Sequence, residues 1–294
     1  MAEIVQYALD AISQGFLYAL LALSLALVFS VMNLVNFAHG ELIMIAGYTM
    51  YLTRDDLPWP LVIVAVLLVV MLSAVLMERV AFRPVRAASA TTLLVTSFAV
   101  SALLQVLARM IFGTLPKGVE PYSVLTDSIV IGTVRIPWLD VVTIGACTLM
   151  IVALALLLNR TELGIQLRAA TEDFTMARLL GVNANRVIAC AFAITGVLAG
   201  VTGLILVSRV GVVSPTMGTL PVLIAFVGIV IGGMGTLTGP AIGGFLLGAA
   251  DTLLRATLPT SIGDFTTAFA FAGVILILVI RPQGLIPSRQ QVRV

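Results

Sequence analysis

Apolar residues occur along this chain in nine runs separated by short polar segments. The runs cover about 11–31, 38–53, 60–78, 91–112, 137–158, 187–208, 219–234, 240–256 and 264–280. A helix that crosses a bilayer needs roughly 17–25 mostly apolar residues. Six of the runs are long enough to span, and three are shorter or broken. The pattern predicts an all-α integral membrane protein with 8–9 transmembrane segments.

Polar or glycine-rich residues interrupt the apolar pattern at two places. The first interruption, 35–47, contains the single histidine, His39, and the carboxylate Glu41. The second, 231–245, is rich in glycine. Ionisable groups are costly at membrane depth, and broken helices in both halves of a chain commonly surround a solute route. We therefore expect two broken or re-entrant helices beside a transport route.

Both interruptions also have a purely structural explanation. His39 and Glu41 would then hydrogen-bond to neighbouring helices and fix the bend. Positions two apart on a regular helix point to different faces, so joint contact with a solute requires a break. In the second interruption, Gly244 and Gly248 have the four-residue spacing that lets helix backbones approach closely. The sequence leaves both explanations open.

The distribution of arginine predicts the orientation of the chain in the membrane. Basic residues cluster at 79–86, 160–186 and 281–293, whereas the connections at 54–56 and 117–140 are mainly acidic. Because cytoplasmic loops carry an excess of Lys and Arg, the first set is predicted to be cytoplasmic. Nine segments then place the amino terminus outside and the carboxyl terminus inside. A re-entrant short segment would reverse the amino terminus only.

Composition supports the membrane class and excludes several others. The chain is 60% hydrophobic and 10% charged, which does not fit an ordinary soluble domain. Its net charge of +2 comes from clusters between the runs, which membrane orientation explains better than nucleic-acid binding. Both cysteines lie in apolar segments, so neither a disulfide framework nor a metal cluster is expected. We expect a single permease domain over residues 1–294.

The longest polar stretch predicts a cytoplasmic helix at about 161–181. One narrow apolar face repeats at 4-3-4-3 spacing. That face comprises Leu163, Leu167, Ala170, Phe174 and Ala177. Thr161 suits the amino-terminal cap, and Gly181 suits the stop. Because the polar face carries mixed charge, docking to a cytoplasmic partner is favoured over binding to lipid. An intramolecular connector is the alternative.

Four stretches resemble the branched-chain amino acid permease family of ABC importers (LivH-like). They are Asn-Leu-Val-Asn-Phe-Ala-His-Gly-Glu at 33–41, Glu-Arg-Val-Ala-Phe-Arg-Pro-Val-Arg at 78–86, the segment that begins Leu-Gly-Ile-Gln-Leu-Arg-Ala-Ala-Thr-Glu-Asp-Phe at 163–183, and Gly-Gly-Met-Gly-Thr-Leu-Thr-Gly-Pro-Ala-Ile-Gly-Gly at 232–244. They follow in the same order as in that family and cover almost the whole chain.

The resemblance implies a heteromeric importer in a bacterial cytoplasmic (inner) membrane. This chain would pair with a second homologous permease (LivM-like), two cytoplasmic ATPase subunits and an extracytoplasmic substrate-binding protein. ATP and Mg would be held by the ATPase subunits, and this chain would bind no cofactor. The implied substrates are branched-chain amino acids (Leu, Ile or Val). Permeases for urea, short amides and other amino acids are close relatives.

The resemblance also assigns particular residues to two functional regions. Residues near the substrate pathway would be Asn36, His39, Gly40, Glu41, Gly232, Gly233 and Gly235. Residues in the ATPase-coupling element would be Ala170, Glu172, Asp173, Leu180 and Gly181.

Motifs for enzymatic chemistry are missing from the sequence. The single lysine, Lys117, lies outside any G-x-x-x-x-G-K-[ST] context, so ATP must bind another chain. His-Gly-Glu at 39–41 is not H-E-x-x-H, and no serine lies in a G-x-S-x-G context. An ion-coupled carrier or channel is the alternative from a different class, since His39, Glu41 and Asp251 would suit proton or sodium coupling.

Overall fold

The computed structural model describes residues 2–32, 35–86, 88–120, 122, 125, 127–131, 134–172, 174–233, 238–258, 266–281 and 284–286. This part of the chain is mainly helical. The long helices are α1 (Ala2–Met32), α2 (His39–Thr53), α3 (Trp59–Met77), α4 (Ala90–Phe112), α5 (Trp138–Arg160), α8 (Ala184–Val210), α9 (Thr219–Gly232), α10 (Thr238–Thr257) and α11 (Thr266–Ile280). Each corresponds to one of the nine apolar runs.

Shorter elements connect these helices. They are a π-helical turn (Glu78–Phe82) after α3, the polar helices α6 (Glu162–Glu172) and α7 (Phe174–Leu179), and the strands β1 (Lys117–Gly118), β2 (Ser128–Ile131), β3 (Val134–Pro137) and β4 (Val212–Val213). β2 and β3 form an antiparallel hairpin between α4 and α5. β1 pairs with β4, a contact between distant segments that the sequence pattern did not predict.

Five of the described helices are long and apolar enough to cross a membrane. They are Glu3–Met32, Trp59–Phe82, Ala90–Phe112, Trp138–Arg160 and Ala184–Val210. The chain is therefore a multi-pass, mainly helical integral membrane protein. The finer count of 8–9 spans, and the re-entrant character of the short helices, stay predictions.

Contacts within the chain group it into two compact units. One comprises Met1–Ala26, Ser123–Thr148 and Ile224–Val294, and the other comprises Leu27–Tyr122 and Leu149–Leu223. Each unit is assembled from separate stretches, so neither is a continuous domain that could be cut out of the sequence.

Close backbone approach organises the unit that contains α2, α3 and α8. A Cβ built on Gly196 would lie 2.8 Å from the Met71 Cα of α3. A Cβ built on Gly203 would lie 2.5 Å from the Ala46 Cβ of α2. Lipid tails are as apolar as leucine, so membrane helices associate largely through such packing of small residues. The glycines of α8 thus allow both neighbouring helices to pack against it.

The same device joins α10 to α1 in the other unit. A Cβ on Gly248 would lie 2.6 Å from the Gln14 carbonyl oxygen, and a Cβ on Gly244 would overlap the Tyr18 carbonyl. Phe16 and Phe245 pack edge to face beside them, with ring centroids 5.5 Å apart. The packing explanation for these two glycines is therefore confirmed.

We predict that Gly203→Ala lowers the free energy of unfolding by about 1–3 kcal/mol, because the added methyl group overpacks the contact with α2. Thermal unfolding of the purified protein in detergent measures the change. Gly145→Ala in α5 is the matched control, since a Cβ there meets no atom within 4 Å. Equal unfolding midpoints for the two variants would contradict the packing role of Gly203.

Candidate functional site

The first interruption forms a tight turn that starts α2. The Ala38 N–H donates to the Asn36 Oδ1 at 3.0 Å, and the His39 N–H donates to the Asn36 carbonyl oxygen at 3.1 Å. The Asn36 amide nitrogen lies 3.8 Å from the Met77 Sδ of α3. Asn36 is fully buried, so its polar groups are used to shape the chain. The helix break inferred from the sequence is therefore present, and α2 begins at His39.

A second helix begins against the start of α2. The backbones of Gly40 and Gly218 touch, and a Cβ on either residue would overlap the carbonyl of the other. Thr219, the next residue, is the first residue of α9. Only glycine permits so close an approach of two chains. The contact therefore brings the amino-terminal ends of α2 and α9 together.

Non-helical backbone leads into this contact along the side of α2. α8 ends at Val210 and is capped by Gly211, which has a φ of 72°. β4 and a turn follow. A Cβ on Gly47, two turns along α2, would lie 2.8 Å from the Val213 Cγ2. Irregular backbone at membrane depth is tolerated only where protein covers it or where it lines a cavity. The segment 211–218 is covered by α2, a contact that the sequence did not predict.

Glu41 is the centre of a polar cluster beside these helix starts. Its side chain is 1% exposed. Ser101 Oγ donates to Glu41 Oε1 at 2.7 Å, and Gln105 Nε2 donates to the same oxygen at 2.8 Å. Gln105 Nε2 also lies 3.4 Å from Thr219 Oγ1. The cluster joins α2, α4 and the first residue of α9.

Aromatic contacts hold α4 beside the same region. Phe37 stacks on Phe98 with ring centroids 4.4 Å apart, and Tyr48 stacks on Phe112 at 4.0 Å. Elsewhere α4 is mostly exposed, with 11% of its most apolar stretch buried. Few contacts therefore attach this helix to its own unit.

His39 is as deeply buried as Glu41, at the first position of α2. The structure brings four of the predicted pathway residues together in one turn. They are Asn36, His39, Gly40 and Glu41. Ser101, Gln105, Gly218 and Thr219 were not predicted.

The carboxyl-terminal part of the chain hydrogen-bonds to the backbone of the second interruption. α9 ends at Gly232, and Gly233 has a φ of 106°, which favours glycine. The Leu285 N–H donates to the Ile231 carbonyl at 2.8 Å, and the Ile286 N–H donates to the Gly232 carbonyl at 3.1 Å. Two carbonyl oxygens of this interruption therefore accept hydrogen bonds from the chain itself. Gly235, also a predicted pathway residue, lies outside the described residues.

The polar stretch after α5 is helical over Glu162–Glu172 and over Phe174–Leu179, within the bounds predicted for the cytoplasmic helix. α6 and α7 end and begin on either side of Asp173, which lies outside the described residues. The Gly164 N–H donates to Thr161 Oγ1 at 3.1 Å, which confirms the predicted cap. The chain turns at Gly181, with a φ of 89°. The stop predicted there is also confirmed.

Exposure differs along this coupling element. Leu167, Ala170 and Ala177 are buried against the chain itself, whereas Leu163 is exposed despite belonging to the predicted apolar face. For Glu172 only the backbone is described. Leu179 is 77% exposed and Leu180 is 85% exposed. The most exposed apolar side chains of this element therefore lie at the end of α7.

Apolar spanning helices around a buried polar cluster at converging helix starts are typical of membrane transport proteins. The pattern of the family described as "Branched-chain amino acid transport system / permease component" matches residues 7–280 of this chain. The chain belongs to this family, and the resemblance found in the sequence is confirmed.

Similar proteins agree with this membership. The high-affinity branched-chain amino acid transport system permease protein LivH of Escherichia coli (strain K12) is 31% identical, covering 96% of this chain and 94% of LivH. The BraD permease of the same description from Pseudomonas aeruginosa is 30% identical, covering 97% of each chain. The autoinducer 2 import system permease protein LsrC of Yersinia enterocolitica is 31% identical over 44% of this chain and 38% of LsrC. No solved structure matches this chain.

We predict that Gly218→Ala destabilises the protein more than Gly203→Ala does. The added Cβ meets the Gly40 backbone, which cannot rotate away as a side chain can. Gly118→Ala is the control, because it lies in β1, paired to the same segment through β4, and its Cβ meets no atom within 4 Å. Thermal unfolding measures both, and a Gly218→Ala protein as stable as the control would contradict the contact.

Proposed function

We propose that this chain is a permease subunit of an ATP-driven ABC importer for amino acids, with leucine, isoleucine and valine as the main candidates. The observation that carries the proposal is the buried polar cluster around Glu41 at two converging helix starts. Buried ionisable groups in spanning proteins mark solute or ion pathways by default. The full-length similarity to LivH and BraD supports the amino acid class.

The energy for transport would come from other subunits. The sequence offers no phosphate-binding loop around its single lysine, Lys117. Two cytoplasmic ATPase subunits would hold ATP and Mg, and α6–α7 would dock on them. Exposed Leu179 and Leu180 fit this role, because apolar side chains at a helix end are buried when a partner groove receives them. Ala170, Glu172, Asp173 and Gly181 belong to the same element.

The remaining partners are those that membership of the family supports. A second homologous permease would complete the route, and a binding protein would deliver the solute from outside. By the positive-inside tendency, α6–α7 and the carboxyl terminus would lie in the cytoplasm. Family membership supports a bacterial inner membrane for the chain. The short helices α2, α9, α10 and α11 would bring the number of membrane segments to 8–9.

Alternating access would carry the solute past both interruptions. In this proposal Asn36, His39, Gly40 and Glu41 lie beside the route. Gly232, Gly233 and Gly235 would supply backbone near it at the second interruption. ATP-driven closure of the ATPase subunits would move the coupling element and reorient the helices.

Reconstitution tests the proposal directly. This chain, a second permease, two ATPase subunits and the binding protein would be placed in liposomes with labelled leucine. We expect uptake that requires ATP and every component, and no uptake by this chain alone. Uptake by the single chain without ATP, driven by an ion gradient, would support an ion-coupled carrier instead.

Leu179→Ser together with Leu180→Ser tests the docking surface. We predict about tenfold or weaker association with the ATPase subunits, because each leucine loses its apolar burial. Co-purification from detergent measures the association. Leu115→Ser is the matched control, since Leu115 is 75% exposed and lies between α4 and β1 on the predicted outer side. Normal association of the double variant would exclude this surface.

A further inference from the structure

The hydrogen bonds of the Glu41 carboxylate are incomplete in this conformation. A carboxylate accepts about four hydrogen bonds, two at each oxygen. Oε1 accepts from Ser101 and Gln105, whereas Oε2 is buried and has no hydrogen-bond partner among the residues that the structure describes. A buried acceptor left open costs free energy. One oxygen is thus available to a group that the chain itself does not supply.

The neighbours of Glu41 are neutral, which distinguishes it from the other buried glutamate of this unit. Glu78 also has an oxygen without a hydrogen bond, but the charges of Arg79, Arg83 and Arg86 act on it. Around Glu41, the described part of the chain supplies the Ser101 hydroxyl and the Gln105 amide. A cationic or N–H-bearing partner would therefore complete the hydrogen bonding of the Glu41 carboxylate. Glu78 does not need such a partner, because the arginines already compensate its charge.

The Gln105 amide has the chemistry of such a partner. Its nitrogen carries two hydrogens, yet three acceptors lie within 3.4 Å: Glu41 Oε1, Ser101 Oγ and Thr219 Oγ1. Two hydrogens cannot form full hydrogen bonds to all three acceptors at once, so this amide can shift among them. Because Ser101 and Gln105 are four residues apart on α4, a displacement of that helix removes both donors together.

We propose that Oε2 of the Glu41 carboxylate receives an N–H donor of the solute, an ammonium or amide group, and that the Ser101 and Gln105 donors on Oε1 hold α4 against α2 while the route is closed. The inference rests on the proposed function and names the solute chemistry of that site. Charge-assisted hydrogen bonds are the stronger ones, so an α-ammonium group is the best ligand. Anions without an N–H group are repelled by the carboxylate.

Glu41→Gln isolates the open oxygen. The variant keeps Oε1 for Ser101 and Gln105 and replaces Oε2 with an NH2 group, which cannot accept. In the complete reconstituted complex, with saturating leucine-loaded binding protein, we expect leucine imported per ATP hydrolysed to fall about tenfold or more. Ser97→Ala is the control, since this buried hydroxyl of α4 donates to its own helix. We expect it to transport at the wild-type ratio.

Gln105→Met provides a second test that does not alter Glu41. The thioether fills a similar volume but donates no hydrogen bond. If the Gln105 amide serves only the closed conformation, we expect leucine import per ATP to fall by a clearly smaller factor than it does in Glu41→Gln. An equal loss in both variants would mean that the cluster merely ties α2 to α4, and would overturn the proposal.

The reversed pair, Glu41→Gln with Gln105→Glu, separates the two roles further. It restores a carboxylate–amide bond between α2 and α4 but moves the acceptor onto α4. We expect import to stay low, and recovery to the wild-type ratio would overturn the proposal. Failure of the wild-type complex to import leucine while hydrolysing ATP would instead overturn the proposed function on which it rests.

Discussion

The backbone contact between Gly40 and Gly218 is the constraint on which the candidate site depends. Two chain segments can touch at this distance only if neither residue has a Cβ. The contact fixes the start of α9 beside the start of α2, which places Thr219 within reach of Gln105. Without it, the break at Asn36 would be an isolated turn with no second helix start beside it.

In the proposed mechanism, the polar cluster is the closed point of the route. Buried polar groups are costly when unpaired, so Ser101, Gln105 and Glu41 hold α4 against α2 in this conformation. The rest of α4 is largely exposed, and apart from two ring stacks little resists its displacement. A helix held mainly by exchangeable polar bonds is suited to gating, because a solute with matching donors can replace them. Movement at the coupling element would then supply the displacement.

The positions and lengths of the apolar runs predicted the helices well, but they did not predict which distant segments contact each other. All nine runs became helices, since hydrophobic length and residues such as Gly211 act locally. Their ends agree with the runs within about three residues, except that α1 begins at Ala2, nine residues before its run. Gln105 lies four positions after Ser101 in an apolar run. This spacing could have indicated a buried polar face on α4, but it could not have indicated that Glu41 is the partner of that face. The packing of 211–218 on α2 was missed because a short connection carries no signal of the distant segment that packs on it.

Cross-linking α2 to α4 tests most directly whether this cluster is the closed point of the route. Cysteines replacing Phe37 and Phe98, whose rings stack at 4.4 Å, would be joined by a short cleavable reagent after Cys147 and Cys190 are replaced by alanine. In the reconstituted complex we expect the link to abolish leucine uptake and its cleavage to restore it. Undiminished uptake with the link fully formed would contradict the account, because the solute would then pass without α4 leaving α2.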